Sequence, residues 1–325
     1  MDEQPTDPTV DLTPLDLAPI DFDTTPTTSA IDSVISDVPN PASETLTDPS
    51  FWDASFLWDM PILAATISGI LLATIGIYIV LARASFVSAA VSQLAGLGVV
   101  AALLFSATFT HLTHDLDGFS RLFGFAFGIL GTGLFALPDS RRRLSADALL
   151  AICVIGASAV TLVAAAFVTR EYQHVKNALF GDAVVAQPRE VWIIGLVAAL
   201  LLLAERRLRS RLLFTVFDPE TASAQGLNVR GLSRLLGLMI SVSVALSTSG
   251  IGALPAFAFS VIPPATALLL TDRIQRAFLV SAAIAASCAT IGYYVAFIAN
   301  LPVGATMAAI QLIPLLGAGL LRLRQ

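Results

Sequence analysis

The sequence predicts an all-α membrane protein, a helical bundle with about nine transmembrane segments. Hydrophobic residues make up 56% of its 325 residues and charged residues 13%, about half the charged share of an ordinary globular domain. After residue 60 the apolar residues fall into runs, most of them long enough for the roughly 17 to 25 residues that cross a bilayer. These runs are dense in small residues, which let helices pack closely in lipid. A single soluble domain is therefore excluded.

The first 60 residues differ from the rest, because they contain 13 Asp and Glu and no Lys or Arg. Residues 1–50 are rich in Asp, Pro, Thr and Ser, which predicts a disordered acidic tail outside the cell. They lack the basic start and early apolar stretch of a secretory signal. Residues 51–60, FWDASFLWDM, suit a short interfacial segment with Trp52 and Trp58 at the headgroups. They suit equally well an ordinary start to the next helix.

Residues 61–325 form the predicted transmembrane domain, with eight to ten crossings and nine as the central estimate. The apolar runs lie near residues 61–82, 86–108, 119–138, 147–168, 190–204, 231–248, 252–270, 277–299 and 303–321. The run at 190–204 is short, and the run at 252–270 is interrupted by prolines.

The basic residues predict the orientation, because cytoplasmic loops carry an excess of Lys and Arg. One of the two possible topologies places 14 of the 18 basic residues inside and 18 of the 24 acidic residues outside. We therefore predict a multi-pass plasma-membrane protein whose N-terminus lies outside and whose C-terminus is cytoplasmic. An odd number of crossings agrees with ends on opposite sides. The arginines of segment 205–234 are explained by the membrane surface, so we assign no nucleic-acid partner.

Several kinds of chemistry are disfavoured by the residues present. The chain's single lysine, Lys176, falls in a predicted outer loop and no phosphate-binding loop is found, so we expect no ATP hydrolysis by this chain. The predicted spans hold no ionisable residue well inside their apolar stretches, which disfavours a proton-coupled carrier. Cys153 and Cys288 lie in separate apolar runs and indicate neither a disulfide framework nor a Cys-rich metal site.

Segment 205–234 contains one predicted short helix, in FDPETASAQG. Asp218 stands at the cap position, Pro219 and Glu220 fall in the first turn, and Gly226 ends the helix. A capped acidic helix among arginines favours docking to a cytoplasmic partner. A basic connector held at anionic headgroups is the alternative, and it explains the arginines but not the helix.

Three stretches resemble a known family in both their order and their spacing. ALFGDAVVAQPREVW, LLFTVFDPETASAQGLNVRGLSRLLGLM and GIGALPAFAFSVIPPATALLL look like the second half of the permeases of zinc and manganese ATP-binding-cassette (ABC) importers. LARASFVSAAVSQLAGLGVV resembles the family's second helix, and the resemblance covers about residues 56–322. It implies the vitamin-B12-importer-like (type II) permease architecture.

The resemblance also implies partners and a substrate. A family member pairs with a second permease subunit, as a homodimer or heterodimer. It works with cytoplasmic ATPases, which bind ATP, and with an extracellular solute-binding protein that delivers the metal ion. The permease itself carries no covalently bound cofactor and no catalytic residue, and the transported ion is expected to be zinc or manganese.

Particular residues take roles from the same resemblance. The coupling helix falls near residues 217–229, and its motif positions meet the ATPase. Those positions are Asp218, Pro219, Glu220, Ala222 and Gly226. Pro263 and Pro264 stand at the family's Ile-Pro-Ala position, where a break in the helix is expected. Closure of the ATPases would then switch the bundle between outward and inward access.

The second helix departs from the family, which usually carries an Asp and, four residues later, a His. Here those positions are Ala89 and Gln93, neither of which is a good ligand for a transition metal. Three explanations stay open: the metal path uses other residues, the partner subunit supplies the ligands, or the substrate is another small solute. A non-transporting membrane scaffold or sensor is a further alternative.

Two sets of residues are candidates for contact with the substrate. The pathway candidates are Ser92, Gln93, Ser260, Pro263, Pro264 and Gln311, although hydrogen bonding between helices would also explain the polar ones. The weaker metal candidates are His111, His114, Asp115, Asp117 and His174, all predicted to lie outside, where imidazole and carboxylate suit zinc or manganese. Solvated loop residues are the alternative for the second set.

Overall fold

The computed structural model describes residues 56–108, 116–135, 146–167, 188–299 and 301–323, and within these ranges all regular structure is helical. The helices are α1 Phe56–Leu81, α2 Ser85–Thr108, α3 Leu116–Phe135, α4 Ala146–Phe167, α5 Pro188–Phe217, α6 Pro219–Ala224, α7 Val229–Ile251, α8 Ala253–Leu270, α9 Ile274–Ile298, α10 Val303–Ile310 and α11 Leu312–Leu323. The predicted tail, residues 1–50, lies outside the described residues, as do residues 51–55.

Each predicted apolar run coincides with a helix, the last one being divided at Gln311 into α10 and α11. Among the described residues, six segments are long and apolar enough to cross a membrane: those in α1, α2, α7, α8 and α9, and the combined α10–α11. Shorter apolar stretches lie in α3, at Leu122–Gly131, and in α4, at Ala148–Ala164. The prediction of an all-helical membrane bundle is confirmed.

Helix α1 is the central element of the bundle, packed against α5, α7, α8 and α9. Leu71, Leu72, Ile75, Ile77 and Ile79 point to different sides of the helix, and all are buried. A helix that is apolar all round is stable where neighbours cover every face. Residues 56–60 form its first turns and continue through Pro61 without a break.

Helix α8 does not break at its two prolines, contrary to our expectation. It runs unbroken through Pro263 and Pro264, both buried. Proline has no N–H, so Pro264 leaves the carbonyl of Ser260 without its helical partner. Gly76 of α1 packs its backbone against this turn, and a Cβ placed on it would lie 2.7 Å from Pro264 Cγ. Neighbouring helices can compensate for such a gap in a membrane helix, and α1 packs closely at this turn.

Helix α5 is longer than the short apolar run that predicted it. It continues as a helix from Pro188 to Phe217, about 45 Å at 1.5 Å per residue. The arginine-rich half of the predicted connector is therefore helical. Glu205 does not end the apolar part of the helix, because it lies buried against partners in the bundle.

Candidate functional site

Helix α6 begins as the sequence predicts. Asp218 is its N-cap, and the carboxylate Oδ1 accepts a hydrogen bond from the backbone N–H of Thr221 at 3.0 Å. Pro219 occupies the first helical position, where its missing N–H costs no hydrogen bond. Hydrogen bonds from Thr221 hold the pKa of the exposed Asp218 carboxyl below its usual value. The first turn is thus fixed by its own side chains.

The other end of α6 is closed by Gly226, whose φ of 82° lies in the left-handed region. The N–H of Gly226 donates to the carbonyl of Ser223 at 3.0 Å, and the N–H of Leu227 donates to that of Ala222 at 3.1 Å. This pair of bonds is a Schellman motif, which glycine favours because it has no Cβ. The predicted capped helix is confirmed at both ends.

The exposed side of α6 forms a surface that another protein could contact. Ala222 is fully buried, and the helix packs against α5 and α7. Pro219, Glu220 and Gly226 are exposed, as is Phe217 at the end of α5, which is 56% exposed. Of the predicted coupling residues, one therefore anchors the helix and the others face outward.

Two of the predicted pathway residues lie near the contact between α2 and α8. The hydroxyls of Ser260 and Ser88 hydrogen-bond to each other across the two helices. Ser92, one turn after Ser88, donates to the carbonyl of Ala89 at 2.9 Å. All three serines are fully buried. The sequence analysis missed Ser88, although its spacing of four from Ser92 would have placed it on the same face.

The two glutamines take different positions. Gln93 turns to α4, where its Oε1 accepts a hydrogen bond from the hydroxyl of Ser158 at 3.1 Å. Gln311 lies fully buried between α10 and α11. Its Nε2 donates to the carbonyl of Met307 at 3.1 Å, while its Oε1 has no hydrogen-bond partner.

Most of the predicted metal candidates are beyond the part of the chain that the structure describes. His111, His114, Asp115 and His174 lie outside the described residues, and Asp117 is placed as a backbone position in the first turn of α3. Among the residues that are described, no group of three or more His, Cys, Asp or Glu could hold a metal ion.

The structure also contains a buried charged group that the sequence analysis missed. Glu205 of α5 is 1% exposed. Its Oε1 accepts hydrogen bonds from the Tyr78 hydroxyl at 2.7 Å and from Arg209 Nε at 2.9 Å, and its Oε2 accepts from Arg209 Nη2 at 2.8 Å. Glu205 lies one residue past the predicted run 190–204, so the absence of ionisable residues from well inside the predicted spans gave no indication of this buried group. The spacing of four between Glu205 and Arg209 was the available signal.

The fold and the capped helix define a multi-spanning membrane protein with a short exposed helix between α5 and α7. Residues 56–321 match the ABC 3 transport family, and the chain belongs to that family. It is therefore a membrane-spanning permease subunit of an ABC transporter, in which ATP is hydrolysed by a separate chain.

Similar proteins agree with this assignment. The chain is 25% identical over 260 residues to the manganese transport system membrane protein MntC of Listeria monocytogenes, covering 80% of this chain and 88% of that protein. It is 26% identical over 255 residues to MntD of Bacillus subtilis, a manganese transport system membrane protein, covering 74% and 84%. The solved structure of PsaBC from Streptococcus pneumoniae in complex with Fab superposes with a TM-score of 0.70 at 20% identity, covering 83% of this chain and 94% of that one. This likeness confirms the fold.

Proposed function

We propose that this permease imports a divalent metal ion, manganese ahead of zinc, by ATP-driven alternating access. The observation that carries the proposal is the exposed, doubly capped helix α6 in a chain similar to several manganese permeases. The proposed partners are a cytoplasmic ATPase, an extracellular solute-binding protein and a second permease subunit. The chain lies in the plasma membrane with its N-terminus outside and its C-terminus in the cytoplasm.

Helix α6 is the proposed coupling helix because it is built as a rigid unit. A single residue, Asp218, separates it from α5, and four residues separate it from α7. The hydrogen bonds at both ends of α6 restrict the conformational freedom of these connections. When the ATPases close on ATP, a displacement of α6 therefore moves α5 and α7 as packed elements.

The proposed pathway opens at the serine contact between α2 and α8. In this structure the hydroxyls of Ser88, Ser92 and Ser260 are buried and bonded within the protein, so the contact is closed. Separation of α2 from α8 would turn three hydroxyl oxygens toward the path. Oxygen ligands suit manganese, and weak neutral ligands let an ion leave as well as enter.

A permease for a different small solute is the second candidate. The observation in its favour is the pair Ala89 and Gln93, which stand where the family usually has an Asp and a His. The described residues offer no group of three metal-binding side chains in their place. Measurement of cell metal content separates the two candidates.

The test is the elemental content of metal-starved cells that lack the gene and its redundant importers. We expect manganese to fall in the deletion strain and to be restored by the wild-type gene. The Glu220→Arg variant, changed on the exposed side of α6, should restore less than about a tenth of the manganese that the wild-type gene restores, because the added charge opposes docking. Gln275→Arg places the same group on another exposed position, at the start of α9, and should restore it fully.

Two outcomes would contradict the proposal. Unchanged manganese and zinc in the deletion strain would favour another solute. Full restoration by Glu220→Arg would favour a scaffold that no longer needs the ATPase, or a different docking surface.

A further inference from the structure

We propose that one cluster of side chains, called here the Glu205 network, transmits movement of α6 to the centre of the bundle. The network consists of Tyr78, Glu205, Arg209 and Phe278. The network lies on three helices, since Tyr78 belongs to α1, Glu205 and Arg209 to α5, and Phe278 to α9. This inference rests on the proposed function and assigns positioning residues to it.

The carboxylate of Glu205 is held by three hydrogen bonds at distances between 2.7 and 2.9 Å. The two bonds from Arg209 reach different oxygens, which is the planar, bidentate geometry that arginine provides. Arg209 also lies over the ring of Phe278, 4.1 Å from its centroid, and this ring packs against Tyr78 with centroids 5.5 Å apart. Buried ionisable groups within a membrane bundle commonly serve function.

Helix α5 connects the Glu205 network to α6 as one continuous helix. Glu205 lies twelve residues before Phe217, about 18 Å along a helix. Leu212 and Thr215 are buried between the two, so this part of α5 is also packed. A displacement of α6 at the tip of α5 is therefore carried along a packed helix to the Glu205 network, which bonds α5 to α1 and contacts α9.

From Tyr78 a short chain of contacts leads to the proposed pathway. Gly76, two residues earlier in α1, packs closely against Ser260 and Pro264 of α8. The Ser260 hydroxyl bonds to Ser88 of α2, which closes the contact between α2 and α8. A shift of α1 at Tyr78 thus acts on the helix that holds the pathway closed.

The two arginines that precede Arg209 provide an internal comparison. Arg206 and Arg207 are exposed on the same helix, whereas Arg209 is partly buried against its partners. If Arg209 only helped to orient the protein in the membrane, replacing it would have the same effect as replacing Arg206 or Arg207. If the network only held the fold together, its loss would lower uptake and ATP hydrolysis in the same proportion.

The experiment uses the complete transporter in proteoliposomes, with manganese uptake and ATP hydrolysis measured in the same vesicles. The variants are Tyr78→Phe, which removes one hydroxyl, and Arg209→Lys, which keeps the charge but loses the bidentate geometry. The controls are Tyr294→Phe on α9 and Arg206→Lys on α5, both at exposed positions. The amount of ATP hydrolysed per ion should rise at least about fivefold in the variants and stay within about twofold in the controls.

The wild-type vesicles test the proposed function separately, since they carry no manganese if that proposal fails. Stimulation of ATP hydrolysis by the binding protein then replaces uptake as the readout, and the variants should lose it. An unchanged ratio or unchanged stimulation in both variants would overturn the inference. Failure of Tyr78→Phe to assemble would also overturn it, because the network would then belong to folding.

Discussion

At the scale of single residues, the turn after α6 depends on the backbone of Gly226. Its φ of 82° costs an L-residue about 1 to 2 kcal/mol. A Cβ there would meet no atom within 4 Å, so a substitution changes the backbone energy without a clash. Gly226→Ala should therefore weaken the Schellman motif, and Gly226→Asn should weaken it less, because Asn tolerates this conformation better.

Hydrogen exchange in the peptide that contains Leu227 measures this effect. A loss of about 1 kcal/mol corresponds to exchange on the order of fivefold faster in Gly226→Ala, if the amide opens locally. Equal exchange in wild type, Gly226→Ala and Gly226→Asn would show that the turn is not held in the left-handed conformation.

Asp218 makes the start of α6 sensitive to acid. Its pKa is lowered in the folded protein, so ionised Asp218 stabilises the helix fully above its unfolded pKa of about 3.9. That contribution is lost as the pH falls through the lower, folded value. Protection of the Thr221 amide against hydrogen exchange, corrected for the intrinsic exchange rate at each pH, measures this contribution. It should be constant between about pH 7 and 5 and decline below about pH 4.

Asp218→Asn is the matched variant, because the amide oxygen still accepts at the cap but does not titrate. Its protection should show no decline over the same range. A decline of the same size in both proteins would assign the acid sensitivity to another group.

At the scale of elements, the crossing of α1 and α8 depends on the absence of a side chain at Gly76. A Cβ there would lie 2.7 Å from Pro264 Cγ and 2.9 Å from the carbonyl carbon of Ser260. The two helices would have to separate, and overpacking of this kind costs about 1 to 3 kcal/mol. Gly76→Ala should therefore lower the thermal unfolding midpoint of the purified permease.

Gly156→Ala in α4 is the control for that prediction. A Cβ at Gly156 meets nothing within 4 Å, and alanine is favoured over glycine within a helix by about 1 kcal/mol. Its unfolding midpoint should be unchanged or higher. If the unfolding midpoints of both variants fell equally, the loss of a glycine from a helix, rather than the α1–α8 contact, would be the cause.

The elements that depend on local chemistry were predictable from sequence. Hydrophobic length located the nine apolar helical segments, and the cap residues Asp218 and Gly226 located both ends of α6. The burial of Glu205 in α5 was not predictable, because it is bonded to Tyr78, which lies 127 residues earlier in the chain. The close approach of α1 to α8 was not predictable either, because it brings Gly76 against Ser260 and Pro264, which lie far away in the chain.

The candidate pathway was predictable only in part, for the same reason. Ser92 and Ser260 stood out as polar residues in apolar helices, but the bond between Ser88 and Ser260 joins residues 172 positions apart. Gln93 appeared equivalent to Ser92 in sequence, yet one residue turns a helical side chain by about 100°. That turn brings Gln93 to Ser158 of α4.

At the scale of the whole molecule, the acidic tail should be separable from membrane insertion. Residues 1–50 lie before the first turn of α1, and insertion depends on the apolar helices that follow. A chain without residues 2–50 should reach the membrane at a level within about twofold of the full chain, measured by a C-terminal fluorescent tag. Loss of the tagged chain from the membrane fraction would show that the tail takes part in insertion.

The orientation of the molecule is the last prediction, and it rests on the helix count and the basic residues together. Each of the nine predicted apolar runs coincides with a described helix, α10 and α11 being counted as one, and nine crossings would put the two ends on opposite sides. The topology that places 14 of the 18 basic residues inside has the C-terminus in the cytoplasm. Green fluorescent protein at the C-terminus should therefore fluoresce, and alkaline phosphatase there should be inactive.

The side of the membrane on which α6 lies can be tested by thiol labelling, in a chain whose Cys153 and Cys288 are replaced by serine. A cysteine introduced at exposed Glu220 should be protected from an impermeant thiol reagent in intact cells and should react in inverted vesicles. Reaction in intact cells would place α6 outside and refute its role in docking to a cytoplasmic ATPase.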